Sequence, residues 1–286
     1  MKDMAGQGDI IRCGLIGENL GRSRFADGLD HLCRAHGLTL AFELIDSIGR
    51  PGFDFEATLE ECRAQGWTGV SVTHPYKPQA ASWIGASLDP ALARIGSSNL
   101  VIFEPDGVRG GNTDYSGFLS AWRQKMGDAK PGRVAMAGAG GVARSLAHAL
   151  ANLGAEEIVI WDRNQDLARD LAEAVGPVAR AVPMGDLPKV LEGMDGLVNA
   201  TPLGMHAYPG SAFPTPLPCK PGWVFDAVYT PVETEFVKAC RNAGAEVITG
   251  FDLFRHMVQR SFQAYSGIAP EAQKKLAGLE DLKPKE

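Results

Sequence analysis

The chain has 286 residues, 45% hydrophobic and 22% charged, a globular composition with room for one large domain or two ordinary ones. Its 28 Lys and Arg against 34 Asp and Glu give a formal net charge of -6 with no basic run, which argues against a nucleic-acid partner, because neutralising phosphates needs clustered cations. The first nine residues are polar, without an apolar signal core, and no apolar stretch approaches membrane-spanning length, so no membrane partner is expected. Five cysteines (Cys13, Cys33, Cys62, Cys219 and Cys240) are scattered and never in C-x-x-C spacing, which predicts neither a disulfide framework nor a metal site, and a reduced, cytoplasmic protein.

In chain order, residues 10–16 read as a strand and 26–36 as a helix closed by Gly37. Leu38, Leu40, Phe42 and Leu44 alternate as a second strand, 58–65 form a helix closed by Gly66, and 67–72 form a third strand. Strand-helix-strand order at this spacing predicts βαβ units and a mostly parallel sheet. After Asn112-Thr113-Asp114 an amphipathic helix places Phe118, Leu119 and Trp122 on one face. Residues 127–132, rich in Gly and Pro, break the chain and suggest an inter-domain boundary. A second alternating series follows, with strands at 133–137, 158–161, 196–199, 223–228 and 246–248 and helices starting near Val142, Asn164 and Pro231. The last of these begins with Thr230-Pro231-Val232-Glu233, which has the form of a capping box with proline at the first helical position. A final amphipathic helix starts near Asp252, and the charged tail 283–286 is expected to fray.

Three segments suggest chemistry. Met136-Ala137-Gly138-Ala139-Gly140-Gly141-Val142-Ala143 follows a predicted strand, opens a helix and fits G-x-G-x-x-A. Its glycines allow a tight turn and close approach of a pyrophosphate to the helix N-terminus. Asp162 ends the next predicted strand, where a carboxylate can accept the adenosine ribose hydroxyls and repel a 2′-phosphate, whereas the adjacent Arg163 could pair with that phosphate. The competing reading is an ordinary glycine-rich turn. The second segment is Val70-Ser71-Val72-Thr73-His74-Pro75-Tyr76-Lys77. A cation where a helix begins opposes the helix dipole, so Lys77 is not an obvious stabilising choice, although a solvated surface lysine remains the alternative. His74 precedes proline in a turn and reads as structural. The third is Gly111-Asn112-Thr113-Asp114, for which a plain N-cap competes with a functional carboxylate.

Taken together, these segments resemble the shikimate/quinate dehydrogenase family nearly from end to end. Val72-Thr73-His74-Pro75-Tyr76-Lys77 is similar to its strand-end lysine motif, Gly96-Ser97-Ser98-Asn99 to its Gly-Ala-Val-Asn segment, and Asn112-Thr113-Asp114 to its Asn-Thr-Asp. The glycine loop, Val198-Asn199-Ala200-Thr201-Pro202-Leu203-Gly204-Met205, Asp226-Ala227-Val228-Tyr229-Thr230-Pro231 and Gly250, with a helix ending near Gly267, complete the ordered series.

The resemblance implies an α/β fold with an N-terminal α/β substrate domain (1–118), a Rossmann-type doubly wound parallel-sheet domain (119–251), and C-terminal helices (252–286) that return to the first domain. It implies hydride transfer between NAD, with NADP as a second option, and the ring hydroxyl or ketone of shikimate, quinate or a related cyclic hydroxy acid. By position, Lys77 and Asp114 are the catalytic pair, and Ser23, Thr73, Asn99 and Tyr229 contact substrate. Thr201, Met205, Val228 and Gly250 fall beside the nicotinamide half of the cofactor. Gly138, Ala139, Gly140, Gly141, Val142, Ala143, Asp162 and Arg163 fall along the rest. A homodimer is compatible with the resemblance. Oxidising a secondary alcohol requires removal of the hydroxyl proton as hydride leaves the same carbon. A lysine and a carboxylate can share that task, and in reverse the ammonium stabilises the alkoxide.

The departures fall on the substrate side. The family has two hydroxyl residues, one residue apart, near the N-terminus; here Ser23 remains and Phe25 replaces the second. Ser71 stands for the usual asparagine, and Met257 for the usual glutamine of the last helix. Gln259 lies about 200° around that helix from Met257 and is no simple substitute. Two other readings stay open: a ligand-sensing relative without turnover, and an NAD-dependent reductase of another small hydroxy acid.

Overall fold

A computed structural model describes residues 10–269 and 277–284; the polar N-terminal stretch and the end of the charged tail lie outside the described residues. The chain divides into two compact units, one made of the described residues up to Thr113 with those of Met257–Leu282, the other of Asp114–His256 with residues 283–284.

The first unit contains β1 (Ile10–Gly17), α1 (Phe25–Ala35), β2 (Thr39–Asp46), α2 (Phe55–Ala64), β3 (Gly69–Val72), α3 (Lys77–Ile84), α4 (Pro90–Ala93), β4 (Leu100–Glu104) and β5 (Gly107–Gly111). Its five-stranded sheet runs β2-β1-β3-β4-β5; β1 pairs in parallel with β2 and β3, and the β3-β4 and β4-β5 pairs are antiparallel. α2 begins earlier than its apolar period predicts, because Asp54 caps it by accepting the Ala57 N–H at 3.0 Å. A core of Ile16, Phe55, Leu59, Trp67, Val70 and Val101 fills one face of the sheet.

α5 (Thr113–Met126) leads into the second unit, which contains β6 (Arg133–Ala137), α6 (Gly141–Asn152), β7 (Glu157–Trp161), α7 (Gln165–Val175), β8 (Ala179–Ala181), α8 (Leu187–Leu191), β9 (Gly196–Asn199), β10 (Trp223–Asp226), α9 (Glu235–Asn242) and β11 (Glu246–Thr249). Six parallel strands in the order β8-β7-β6-β9-β10-β11 give the 3-2-1-4-5-6 arrangement, with the strand order reversing between β6 and β9. The strands read as near-continuous apolar runs because helices cover both faces of such a sheet. Residues 127–132 lie inside this unit. The Trp122 indole donates to the Ala129 carbonyl (2.9 Å) and that of Trp223 to the Pro131 carbonyl (3.0 Å), while the two rings meet edge-on at 4.7 Å.

The helix expected from Pro231 starts only at Glu235, so Thr230-Pro231-Val232-Glu233 is not a capping box. Thr234 is the cap: its hydroxyl accepts the Val237 N–H at 3.1 Å and donates to Asp226 at 2.6 Å. The same carboxylate accepts the Val228 N–H, which turns the chain and ends β10 at Asp226 rather than at Val228.

The last helix, α10 (Gly250–Ser266), passes from the second unit into the first. In the first unit it packs through Val258 against Gly28, where a Cβ would come within 2.9 Å of a valine methyl, and through Phe262 against His36 at 4.8 Å. Ser71 and Tyr265 share a hydrogen bond of 2.7 Å, and burial pushes the Tyr265 hydroxyl's pKa well up. The serine that stands for the usual asparagine is therefore committed to the last helix.

Candidate active site

In the first unit the candidate residues Ser23, Thr73 and Lys77 follow the C-terminal ends of β1 and β3, and Asn99 precedes β4; Asp114, the second residue of α5, belongs to the second unit. Lys77 is the first residue of α3 and only 8% exposed, unusual burial for an ammonium group. His74 is exposed, and its backbone carbonyl receives the Glu18 N–H, a structural use. Thr73 donates its N–H to Ile16, and its methyl group lies where a Cβ on Gly17 would collide.

The Asn99 side chain holds Thr113, the first residue of α5. Its Oδ1 accepts the Thr113 N–H at 2.7 Å, and its amide donates to the Thr113 hydroxyl at 3.0 Å. A distant asparagine, rather than a local cap, thus satisfies the first amide of α5 and fixes Asp114, the next residue, which is 2% exposed. Asn112 donates to the Ser97 carbonyl (2.8 Å), and Ser98 N–H donates to the Lys77 carbonyl (2.9 Å). Ser97, Ser98, Asn112 and Thr113 are the supporting residues that sequence motifs alone do not assign.

The Ser23 turn follows β1. Ser23 closes a 3₁₀ turn, Leu20–Arg22, by donating its N–H to the Leu20 carbonyl, and its hydroxyl accepts the Phe25 N–H at 3.3 Å. Phe25 starts α1 and is buried, with its ring 6.2 Å from that of Phe42. Met257 is half-buried on α10.

In the second unit the glycine segment joins β6 to α6. Gly138 has φ +98°, open to glycine at little cost, and a Cβ there would sit 2.9 Å from the Ala200 carbonyl. A Cβ on Gly140 would meet nothing within 4 Å, and no side chain caps α6, whose first-turn amides have no intrahelical acceptor. Asp162 ties this loop to the end of β7: Oδ2 accepts the Ala139 N–H and Oδ1 the Asn164 N–H, both at 2.8 Å. Each oxygen keeps acceptor capacity for a ribose hydroxyl. Arg163 is exposed beside it. The residues fit a dinucleotide: uncapped helix amides for the pyrophosphate and a half-buried carboxylate for the ribose.

Further along the sheet edge, Asn199 Oδ1 accepts the Thr201 N–H (3.0 Å) and hydroxyl (2.7 Å), and its amide donates to Asp226 and to the Leu203 carbonyl, both at 2.9 Å. Asp226, fully buried, also holds Thr234 and Val228. Desolvation raises its pKa to about 6, against the lowering effect of those three donors. This closed network shapes the loop of Thr201 and Met205 and the Val228-Tyr229 turn. Tyr229 stacks on Phe254 at 5.5 Å. Gly250 is required by packing, since a Cβ would lie 2.5 Å from the Ala227 carbonyl. Among the described residues, no helix is long and apolar enough to cross a membrane.

A doubly wound sheet with an uncapped glycine turn at its switch point defines a Rossmann-type α/β protein. The family model described as shikimate/quinate 5-dehydrogenase matches residues 121–205. The quinate/shikimate dehydrogenase (NAD(+)) of Corynebacterium glutamicum strain R is 34% identical over 276 residues, covering 92% of this chain and 95% of that protein. The shikimate dehydrogenase (NADP(+)) of Streptomyces avermitilis is 35% identical over 284 residues, covering 96% of each. The solved quinate dehydrogenase from Corynebacterium glutamicum in complex with NAD superposes with a TM-score of 0.88 at 32% identity, covering 96% of this chain and 98% of that one. The chain belongs to the shikimate/quinate dehydrogenase family.

Proposed function

We infer that this chain transfers a hydride between a nicotinamide dinucleotide and the ring hydroxyl or ketone of shikimate, quinate or a related cyclic hydroxy acid. The observation that carries this reading is similarity over 92% of the chain to an NAD-linked quinate/shikimate dehydrogenase. The buried Lys77 and Asp114, at the starts of two helices, supply the polar chemistry the reaction needs.

When bound, the nicotinamide ring supplies the hydride acceptor. Lys77 and Asp114 handle the hydroxyl proton: one takes it as the carbonyl forms, and the other holds and orients the oxygen. In the reverse direction the Lys77 ammonium stabilises the developing alkoxide and returns the proton. Ser23, Thr73, Asn99 and Tyr229 hold the acid, with Phe25 and Met257 at its apolar margin. The α6 amides at Gly141, Val142 and Ala143 receive the pyrophosphate over Gly138, Ala139 and Gly140. Asp162 receives the adenosine ribose, and Thr201, Met205, Val228 and Gly250 flank the nicotinamide. Asp162 favours NAD; Arg163 leaves some use of NADP. The protein works in the cytoplasm on a diffusible small acid, with no nucleic-acid or membrane partner, and a homodimer is compatible with that role.

The direct test mixes purified protein with NAD and a panel of cyclic hydroxy acids and follows NADH absorbance. Turnover of quinate or shikimate is expected; binding of both ligands without turnover would favour the sensor.

A further inference from the structure

We infer that Asp46 is a positioning residue for the substrate-binding turn, setting the place of Ser23 through the backbone of Asn19 and Leu20. The inference rests on the reading of Ser23 as a substrate contact and deepens it. Asp46 is the last residue of β2. Its Oδ2 accepts the Leu20 N–H at 2.9 Å, and its Oδ1 accepts the Asn19 N–H at 3.3 Å and the Ile48 N–H at 3.0 Å. One carboxylate therefore clamps its own following turn and the turn that leaves β1.

The path from this carboxylate to Ser23 is short and stiff. Asn19 adopts left-handed φ 58° and ψ 44°, uncommon for a side-chain-bearing residue, and directs its own and the next amide toward Asp46. Leu20, 4% exposed, plugs the turn into the core, and its carbonyl receives the Ser23 N–H at 2.9 Å. Two neighbours brace the same segment: Ser47 N–H donates to the Gly17 carbonyl at 2.9 Å, and Glu18 N–H to the His74 carbonyl at 3.0 Å. The second bond leads to the Thr73-Lys77 segment, so the Ser23 turn is referenced to the strand end that carries the lysine. Charge-assisted bonds to backbone amides are stronger than neutral ones, and the lowered Asp46 pKa, caused first by the Leu20 amide, agrees with that.

The test measures steady-state kinetics with quinate and shikimate at saturating NAD for S23A, D46A, D46N and S23A/D46A. S23A and D46A are each expected to raise KM for the acid about 10-fold, with kcat changed by less than about 3-fold and KM for NAD unchanged. D46N, which keeps one carbonyl oxygen, should fall between wild type and D46A. The double variant should be no worse than S23A alone, because Asp46 acts through Ser23. A D46A variant with wild-type KM beside a raised KM in S23A overturns the positioning role, as does an additive double variant. A wild-type KM in S23A overturns the Ser23 contact itself. If D46A does not fold, amide exchange in the wild-type protein decides: protection is expected at Asn19 and Leu20, and rapid exchange at both overturns the clamp.

Discussion

Asp46 and Asp226 occupy matching places, each the last residue of a strand with its carboxylate turned onto backbone amides of the following loop. The first unit keeps its carboxylate half-exposed among three amides, and its pKa is lowered, first by the Leu20 N–H. The second unit buries its carboxylate completely among Asn199, Val228 and Thr234, and desolvation raises its pKa to about 6. The same local device thus has opposite electrostatic signs. In this pair the difference is depth: hydrogen bonds dominate at Asp46, where water still reaches the group, and the lost hydration dominates at Asp226, where it does not.

The largest expected effect separates chemistry from scaffold. Lys77→Ala should lower kcat by roughly 10²-fold or more while NAD affinity, measured by fluorescence titration, stays near wild type. A comparable loss of NAD affinity would show that the first unit's lysine also supports the second unit's task, blurring the division.

The two aspartates should then part with pH. For Asp226 the folded pKa lies above the unfolded value, so between roughly pH 4 and 6 the folded state binds more protons and stability falls as pH rises. A shift of about two units corresponds to about 3 kcal/mol as an order of magnitude. Denaturant titrations from pH 4 to 7 should show this fall in wild type and lack it in Asp226→Asn. Asp46 runs the other way. Its lowered pKa gives stability that is present above the unfolded value and lost as pH falls below about 4, and Asp46→Asn should flatten that acid limb. Identical pH profiles for the two variants would break the comparison.

Cofactor choice tests the second unit alone. Asp162, held by the Ala139 and Asn164 amides, should make kcat/KM higher with NAD than with NADP. Arg163→Ala should lower the residual NADP rate several-fold and leave NAD nearly unchanged. A higher kcat/KM with NADP in the wild type would overturn the preference.

The second unit was the more legible in sequence, for a physical reason. A parallel sheet covered on both faces demands continuous apolar strands, and its glycine turn demands residues that few other contexts need, so β6, β7, β9 and β11 stand out. β4 and β5 do not, because an antiparallel hairpin with the run Gly-Val-Arg-Gly-Gly carries no strong period. The capping box at Thr230 misleads because local spacing cannot reveal that Asp226 captures Thr234 instead. The same limit hides Asn99 as the cap of α5 and Asp46 as the clamp of the Ser23 turn, since both partners lie far away in sequence. Motifs display the residues that would touch ligands; the groups that hold them in place emerge only with the fold.

The smallest expected effect concerns two departures that share the first unit but differ in packing. Phe25 is buried against Phe42 at the head of α1, so Phe25→Thr removes core volume and should cost about 2–4 kcal/mol of stability, whatever it does for substrate. Met257 is only half-buried on α10, and Met257→Gln nearly conserves volume. A substrate oxygen left unpaired in a closed site costs about 1–3 kcal/mol, so returning an amide at Met257 should lower the KM for shikimate several-fold with little change in Tm. Phe25→Thr should bring a smaller gain beside a clear loss of Tm. Kinetics with shikimate, quinate and ring analogues lacking one hydroxyl, paired with thermal melts, resolve the two. If Met257→Gln leaves KM unchanged for all of them while the wild-type KM is already low, ordered water or neighbouring groups complete the site, and Met257 does not set specificity.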